Sequence, residues 1–174
     1  MFIANWLWRI GLDARKQDWF AAAFDRLRRS FIAANKLRSG QSGVLVMPMD
    51  RQGMTILVTA IERTIVDVLH RPEIAGGTEE VLKSLDLVRY LDSQKLVEYV
   101  ELLGIRSVSA VVGWWWQTRQ AALAVPEESL ERLRAFLPRS KHYGLGAEPG
   151  NAALVEEWRL LLPPAILNPD FEGL

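Results

Sequence analysis

The chain has 174 residues, enough for one domain with its own hydrophobic core, and 49% of them are apolar, as in ordinary globular proteins. It has no cysteine, which excludes disulfide frameworks, thiolate catalysis and cysteine-ligated metal centres. Its net charge is zero, but residues 1–40 hold eight basic and three acidic side chains, so only this part has the charge that binds nucleic acid.

The first predicted element is a helix over residues 15–37. Apolar residues recur there at three- and four-residue steps and form a stripe: Trp19, Phe20, Ala23, Phe24, Leu27 and Phe31. The candidate nucleic-acid contacts are basic residues of the same region: Arg26, Arg28, Arg29, Lys36 and Arg38. Residues 1–40 are too short for a complete winged helix-turn-helix, so we interpret them as a basic helical N-terminal segment, followed by a linker at 39–43.

The next predicted elements are a β-hairpin and a series of helices. Two short apolar runs, Val44–Met49 and Met54–Thr59, flank a turn-rich spacer and predict the hairpin. Apolar periodicity then predicts helices from Ile61 to the residues before Pro72, from Thr78 to about Tyr90, from Asp92 to Gly104, over Val108–Leu123, from Pro126 to Leu137, and over Ala152–Leu162. We therefore expect an α+β fold that is mainly helical, with a small hairpin near its start.

No segment of the sequence approaches the ~20 uncharged apolar residues that span a bilayer. With the absence of cysteine, this favours a soluble, cytoplasmic protein that does not bind membranes.

Candidate catalytic residues are few. The chain has two histidines and none of the residue spacings typical of zinc hydrolases, serine hydrolases or phosphate-binding loops. His70 is predicted at a helix C-terminus, where an imidazole commonly interacts with the helix dipole. His142 lies in a polar loop with no companion ligand nearby in the sequence. We predict a protein that is not an enzyme, with no catalytic residue, no metal site and no cofactor.

The charged segment from Glu62 to Gly77 is the most distinctive part of the sequence. On a helix, Arg63 and Asp67 face each other four residues apart, as do Asp67 and Arg71. If Arg63 and Asp67 are buried, removing one partner costs about 3–5 kcal/mol. If they are exposed, the pair contributes less than about 1 kcal/mol. The sequence leaves both arrangements open.

Three consecutive tryptophans, Trp114–Trp116, fall within the predicted helix Val108–Leu123. Trp115 and Trp116 lie with Val111 and Val112 on the side predicted to face the core, whereas Trp114 turns about 100° from Trp115. Aromatic residues at this spacing usually belong to the core. The alternative is that Trp114 marks a surface for a partner or a second copy, because tryptophan is enriched at interfaces.

The run ERTIVDVLHRPEIAGGTEEVLKSL resembles the signature of AbiEi-type antitoxins of abortive-infection (phage-defence) systems. The matching positions are Glu62, Arg63, Thr64, Asp67, Arg71, Pro72, Glu73, Gly76, Gly77, Glu80 and Val81. The end of the chain, with Trp158 and then Pro163 and Pro164, is similar to the closing segment of the family. The resemblance marks residues 44–174 as an AbiEi-like C-terminal antitoxin domain.

This resemblance implies a regulatory module of a type IV toxin–antitoxin system. Such a module counteracts a cognate nucleotidyltransferase toxin, directly or indirectly, and contributes to promoter autoregulation by binding rather than by chemistry. Family members usually begin with a winged helix-turn-helix that binds operator DNA, which residues 1–40 do not provide. Two alternatives stay open. One is a transcriptional repressor that contacts promoter DNA through its basic N-terminal segment, and the other is a truncated helical homo-oligomer without a regulatory role.

Overall fold

The computed structural model describes residues 44–168, which form an α+β fold. An antiparallel hairpin comes first, seven α-helices follow within this range, and a three-stranded sheet is inserted between the sixth helix and the seventh. The predicted α+β class, mainly helical with a small hairpin near its start, is confirmed. The basic segment predicted for residues 1–40, with Arg26, Arg28, Arg29, Lys36 and Arg38, lies outside the described residues.

The hairpin consists of β1 (Val46–Arg51) and β2 (Met54–Thr59), in a register that pairs Val46 with Thr59 and Arg51 with Met54. Its turn is only Gln52-Gly53, with φ values of 51° and 79°. Two positive φ angles are the mark of the tight turn whose twist matches that of the strands, and glycine adopts such angles readily. The predicted hairpin is therefore confirmed, with β1 reaching further than expected.

The helices pack around one central helix. Their bounds are α1 (Ile61–His70), α2 (Thr78–Leu85), α3 (Ser93–Leu103), α4 (Arg106–Gln117), α5 (Gln120–Leu123), α6 (Glu127–Ala135) and α7 (Pro164–Leu167). α4 contacts α1, α3 and α6, and each of its residues from Val108 to Trp116 is buried. Trp114 is only 6% exposed, so the core position favoured for the tryptophans is correct and the alternative of a partner surface at Trp114 is wrong. A helix covered on several sides buries even the residue that periodicity turns away from the main core.

α2 is shorter than the sequence predicts. It ends at Leu85, and the chain then follows an irregular path in which Val88 and Leu91 are still buried. Asp86, directly after the helix, accepts a hydrogen bond at 3.0 Å from Nε of Arg119. This ion pair fixes the chain where the helix stops. Apolar spacing had extended the helix because Val88 belongs to the core without being helical.

The predicted helix Ala152–Leu162 is wrong. This segment forms β4 (Ala153–Val155), a 3-10 turn (Glu156–Trp158) and β5 (Leu160–Leu162). β5 lies in the middle of the sheet, antiparallel to β4 and parallel to β3 (His142–Tyr143). Leu160 and Leu162 are fully buried and Leu161 only partly, the alternation expected of a strand.

The 3-10 turn before β5 docks on the central helix. The ring of Trp158 lies against Gly113 of α4 so closely that a Cβ at this position would overlap it. The indole Nε1 donates a hydrogen bond to Oε1 of Gln117, at the end of the same helix. Glycine weakens a helix interior, and here its cost is explained by the space that it leaves for the tryptophan ring.

No helix within residues 44–168 combines the length and the apolar character that crossing a bilayer requires.

Candidate recognition site

The charged motif centres on a buried network that joins the hairpin to two helices. Arg63 is fully buried, and its Nε donates to Oδ2 of Asp67 at 3.3 Å. Its Nη1 donates to the carbonyl oxygen of Val44 at 2.7 Å, just before β1. Tyr99 of α3 donates its hydroxyl to Oδ1 of Asp67 at 3.0 Å, and its ring lies 5.5 Å from the guanidinium. The open choice between a buried and an exposed pair is thereby decided in favour of burial.

Burial also changes the acidity of this network. It raises the pKa of Asp67 from 3.8 to about 6, although the hydrogen bond from Tyr99 and the charge of Arg63 both lower it. The pKa of Tyr99 is raised well above 10, first by burial and then by the charge of Asp67. Tyr99 therefore keeps its proton and acts as a hydrogen-bond donor to the carboxylate.

Glu62 and Thr64 of the motif are also turned into the fold. Oε1 of Glu62 accepts a hydrogen bond at 2.8 Å from the backbone nitrogen of Asp92, the residue that caps α3. The hydroxyl of Thr64 donates to the carbonyl of Ala60 at 3.0 Å and lies 2.8 Å from the hydroxyl of Thr59. These contacts tie the start of α1 to the end of β2 and to α3.

The motif becomes exposed after α1. Nε of Arg71 pairs with Oε1 of Glu73 at 3.3 Å, whereas the carboxyl of Asp67 binds Arg63 and Tyr99. Arg71 interacts with Asp67 through a backbone hydrogen bond of 3.0 Å and through its charge, which lowers the pKa of Asp67. Pro72 opens a 3-10 turn that ends at Ala75.

Gly76 and Gly77 follow this turn with φ values of 96° and 103°, angles that favour glycine. A Cβ at Gly76 would also overlap the carboxylate of Glu80. The double glycine of the motif is thus required by the sharp bend that leads into α2.

A cleft of about 380 Å³ lies beside this bend. Its polar lining comes from four parts of the chain and includes His70, Glu73, Thr78, Ser107 and His142. The hydroxyl of Thr78 donates to the carbonyl of Leu145 at 3.0 Å and holds the loop after β3 against α2. The volume of the cleft is at the lower end of the range of roughly 300–1,000 Å³ that is common for small-ligand sites.

Both histidines of the chain line this cleft. Burial and the charge of Arg71 lower the pKa of His70, and Glu73 opposes this effect. Burial lowers the pKa of His142, which the nearby backbone of Ser107 opposes. His70 is the last residue of α1, as the sequence predicts, and burial is the main cause of its lowered pKa. The neutral form of both imidazoles is favoured.

The cleft has a limited chemical repertoire. Among residues 44–168, no group of three or more histidine, aspartate or glutamate side chains is placed to hold a metal ion. The most shifted carboxyl, Asp67, points into the buried network rather than into the cleft. The arrangement offers neutral imidazoles, hydroxyl groups and one exposed ion pair at a concave rim, which suits recognition.

Sequence reasoning found most of the charged motif but missed two residues. Tyr99 completes the buried network, and its position within the apolar stripe of α3 was the available signal, because a buried tyrosine hydroxyl usually needs a partner. His142 joins His70 at the cleft through the long-range pairing of β3 with β5, for which the local sequence carries no signal.

The chain was compared with protein-family models, with curated proteins and with solved structures, and none of the three comparisons gave a match.

Proposed function

We propose that this chain is the antitoxin or regulatory module of a bacterial abortive-infection toxin–antitoxin system. In this role it neutralises a nucleotidyltransferase toxin and contributes to promoter autoregulation, by binding and without catalysing a reaction. The support is the motif from Glu62 to Val81, together with the way its side chains are distributed in the fold.

The observation that carries the proposal is the division of the motif into a buried and an exposed half. The side chains of Glu62, Arg63 and Asp67 are buried and bind other groups of the fold, which fits a scaffold better than a reactive centre. Arg71 and Glu73 follow on the surface, where another macromolecule can reach them. Glu73 lines the cleft, and Arg71 forms an ion pair with it. A scaffold that presents a charged rim is the arrangement that antagonism by binding needs.

The proposal requires a nucleotidyltransferase toxin encoded next to the gene, and co-expression with that enzyme tests it. The unaltered chain should restore growth to cells arrested by that enzyme. Arg71→Glu should reduce the rescue, because it reverses the charge that pairs with Glu73 at the cleft rim. Lys83→Glu is the matched control, since Lys83 is equally exposed and also pairs with a glutamate, Glu79, but on the outer side of α2.

Growth arrest that persists in the presence of soluble, folded protein would count against the antitoxin role. Equal rescue by the Arg71→Glu and Lys83→Glu variants would leave neutralisation standing and remove the cleft rim as its site. Circular dichroism of each purified variant establishes that loss of rescue is not loss of folding.

The charge surplus of the first forty residues favours a second candidate, a promoter-binding repressor. Five phosphate contacts by these residues would give a slope of about −4.5 for log affinity against log salt concentration. A gel shift on the upstream promoter measures this slope, and removal of residues 1–40 should abolish the shift. Promoter binding without any rescue of growth would favour the repressor over the antitoxin.

A further inference from the structure

The hairpin carries an unusually apolar face. In an antiparallel pair, directly opposed residues share a face, as do residues two apart in one strand. The register therefore collects five apolar side chains on one side, together with Arg51 beside the turn. We call this side the methionine face, and its apolar members are Met47, Met49, Met54, Ile56 and Val58. Three of the four methionines of the chain are among them. The opposite face is mixed, with Val46, Pro48, Asp50, Thr55, Leu57 and Thr59.

The three methionines of this face are open to solvent, while Ile56 and Val58 are half-buried. Met47, Met49 and Met54 are 50%, 36% and 62% exposed. Contiguous exposed apolar side chains mark binding surfaces, and flexible methionines adapt to the shape of what covers them. The face is small: strands of six residues are about 20 Å long, and two of them are about 10 Å wide.

The size of the face argues against a separate partner as its occupant. A footprint of about 200 Å² is far below the roughly 800 Å² per partner that a stable complex buries. A segment of the same chain needs much less area, because a short linker already holds it at an effective concentration in the millimolar range. The occupant should therefore be tethered close to the hairpin.

Residues 1–43 are the segment that meets this condition. They lead directly into the hairpin, whose base is held in place because the carbonyl of Val44 accepts from Arg63 and that of Leu45 accepts at 2.7 Å from the backbone nitrogen of Ala60. Six residues, 38–43, separate the predicted apolar stripe of residues 15–37 from this point, and they can span up to about 20 Å. That distance matches the length of the hairpin.

The structure also indicates how the segment would bind. Pro48 lies within β1 and offers no backbone donor, which opposes addition of a third strand along the edge of that strand. A helix laid across the methionine face needs no backbone pairing. The aromatic and leucine side chains of the stripe supply an apolar surface of matching character.

We propose that the apolar stripe of residues 15–37 packs on the methionine face of the hairpin, so that this segment and the hairpin form one unit. On such a helix Arg29 and Lys36 lie opposite the stripe and face solvent. The proposal concerns the purified chain alone and is independent of the antitoxin role.

Disulfide trapping tests the proposal directly, because the chain has no cysteine of its own. Met49→Cys is combined in turn with Phe20→Cys, Phe24→Cys and Leu27→Cys, three positions along the stripe. Thr55→Cys, on the opposite face, replaces Met49→Cys in the control set. A disulfide forms readily only when the two Cα atoms come within about 7 Å. We expect at least one Met49 pair to close within a single chain, several-fold more completely than any Thr55 pair.

Equal closure on both faces, or no closure in any pair, overturns the proposal. Disulfide-linked dimers in place of closed monomers also overturn it and identify a second copy as the occupant. Non-reducing gels at several protein concentrations distinguish these outcomes, since only the dimer depends on concentration.

Limited proteolysis gives an independent measurement. Trypsin cuts after the basic residues of the segment, and docking slows these cuts. Met49→Glu should accelerate cleavage after Arg26, Arg28 and Arg29 about tenfold, the factor that corresponds to about 1.4 kcal/mol of docking free energy. Leu57→Glu, on the opposite face, should leave the rate unchanged. Equal rates for the two variants refute docking on the methionine face.

Discussion

The helical body and the hairpin differ in the kind of side chain that each buries and exposes. The body buries charged groups such as Arg63 and Asp67, whereas the hairpin exposes apolar ones such as Met54 and Leu57, at 62% and 72%. Burial of charge is tolerated because each group of the network finds partners in neighbouring elements. Because its apolar side chains are exposed, the hairpin makes few contacts with the rest of the protein that a mutation could remove. The two regions should therefore respond very differently to mutation.

The largest effect is expected at Arg63. Arg63→Met leaves Asp67 buried without its cation and should lower the free energy of unfolding by about 3–5 kcal/mol. Arg71→Ala, which removes an exposed partner of Glu73, should cost less than about 1 kcal/mol. Urea denaturation at pH 8 measures both. Similar losses at the two positions would show that the buried network does not hold the body together.

The next comparison is between a buried leucine of the helical body and an exposed leucine of the hairpin. Leu82→Ala, at a fully buried position of α2, should lower the free energy of unfolding by about 2–5 kcal/mol, through lost burial and the cavity left behind. Leu57→Ala in the hairpin should change it by no more than about 0.5 kcal/mol. Thermal and urea unfolding provide the values. A large cost at Leu57 would mean that the mixed face of the hairpin is covered in solution.

The acidity of Asp67 should appear as a pH dependence. Because its folded pKa of about 6 exceeds the unfolded value of 3.8, the native state binds more protons between these values. The contribution of Asp67 to stability should then fall as the pH rises from 4 to above 6, by about 3 kcal/mol in all. The difference in unfolding free energy between the wild type and Asp67→Asn, followed across this range, isolates it. A difference that grows with pH would place the folded pKa below 3.8, under the control of Arg63.

A smaller effect than at the buried leucine is expected at Gly113. Gly113→Ala introduces a Cβ into the space of the Trp158 ring and should cost about 1–3 kcal/mol through overpacking. Combination with Trp158→Leu should cost less than the sum of the two single changes, because the shorter side chain relieves the overlap. A double-mutant cycle in urea measures this coupling. Strict additivity would indicate that the ring moves aside freely.

The sequence predicted those turns and helix ends that depend only on residues close together in the chain. The turn at Gly53, the cap at Asp92 and the end of α3 at Gly104 were all predicted, because each depends on residues a few positions apart. The segment with Leu160 and Leu162 was misassigned as a helix, since its strand character comes from pairing with His142 and Tyr143 far earlier in the chain. Spacing alone does not reveal such a partner.

The candidate site shows the same division. Arg63 and Asp67 could be placed opposite each other from their four-residue spacing. Their burial could not, because it depends on α3 bringing Tyr99 over them and on the hairpin bringing Val44. A surface position for Trp114 stayed open as an alternative because one helix was considered without the neighbours that cover it. Periodicity orients a side chain relative to its own helix, and the packing of the whole chain decides what it meets.

The central position of β5 has a consequence for synthesis of the protein. Chains fold from the N-terminus as they leave the ribosome, and the strand that joins β3 to β4 is among the last described segments to emerge. Until then β3 and β4 have no strand between them, and Gly113 faces the empty place of the Trp158 ring. One side of α4 therefore stays uncovered until the segment with Trp158 and β5 has been synthesised.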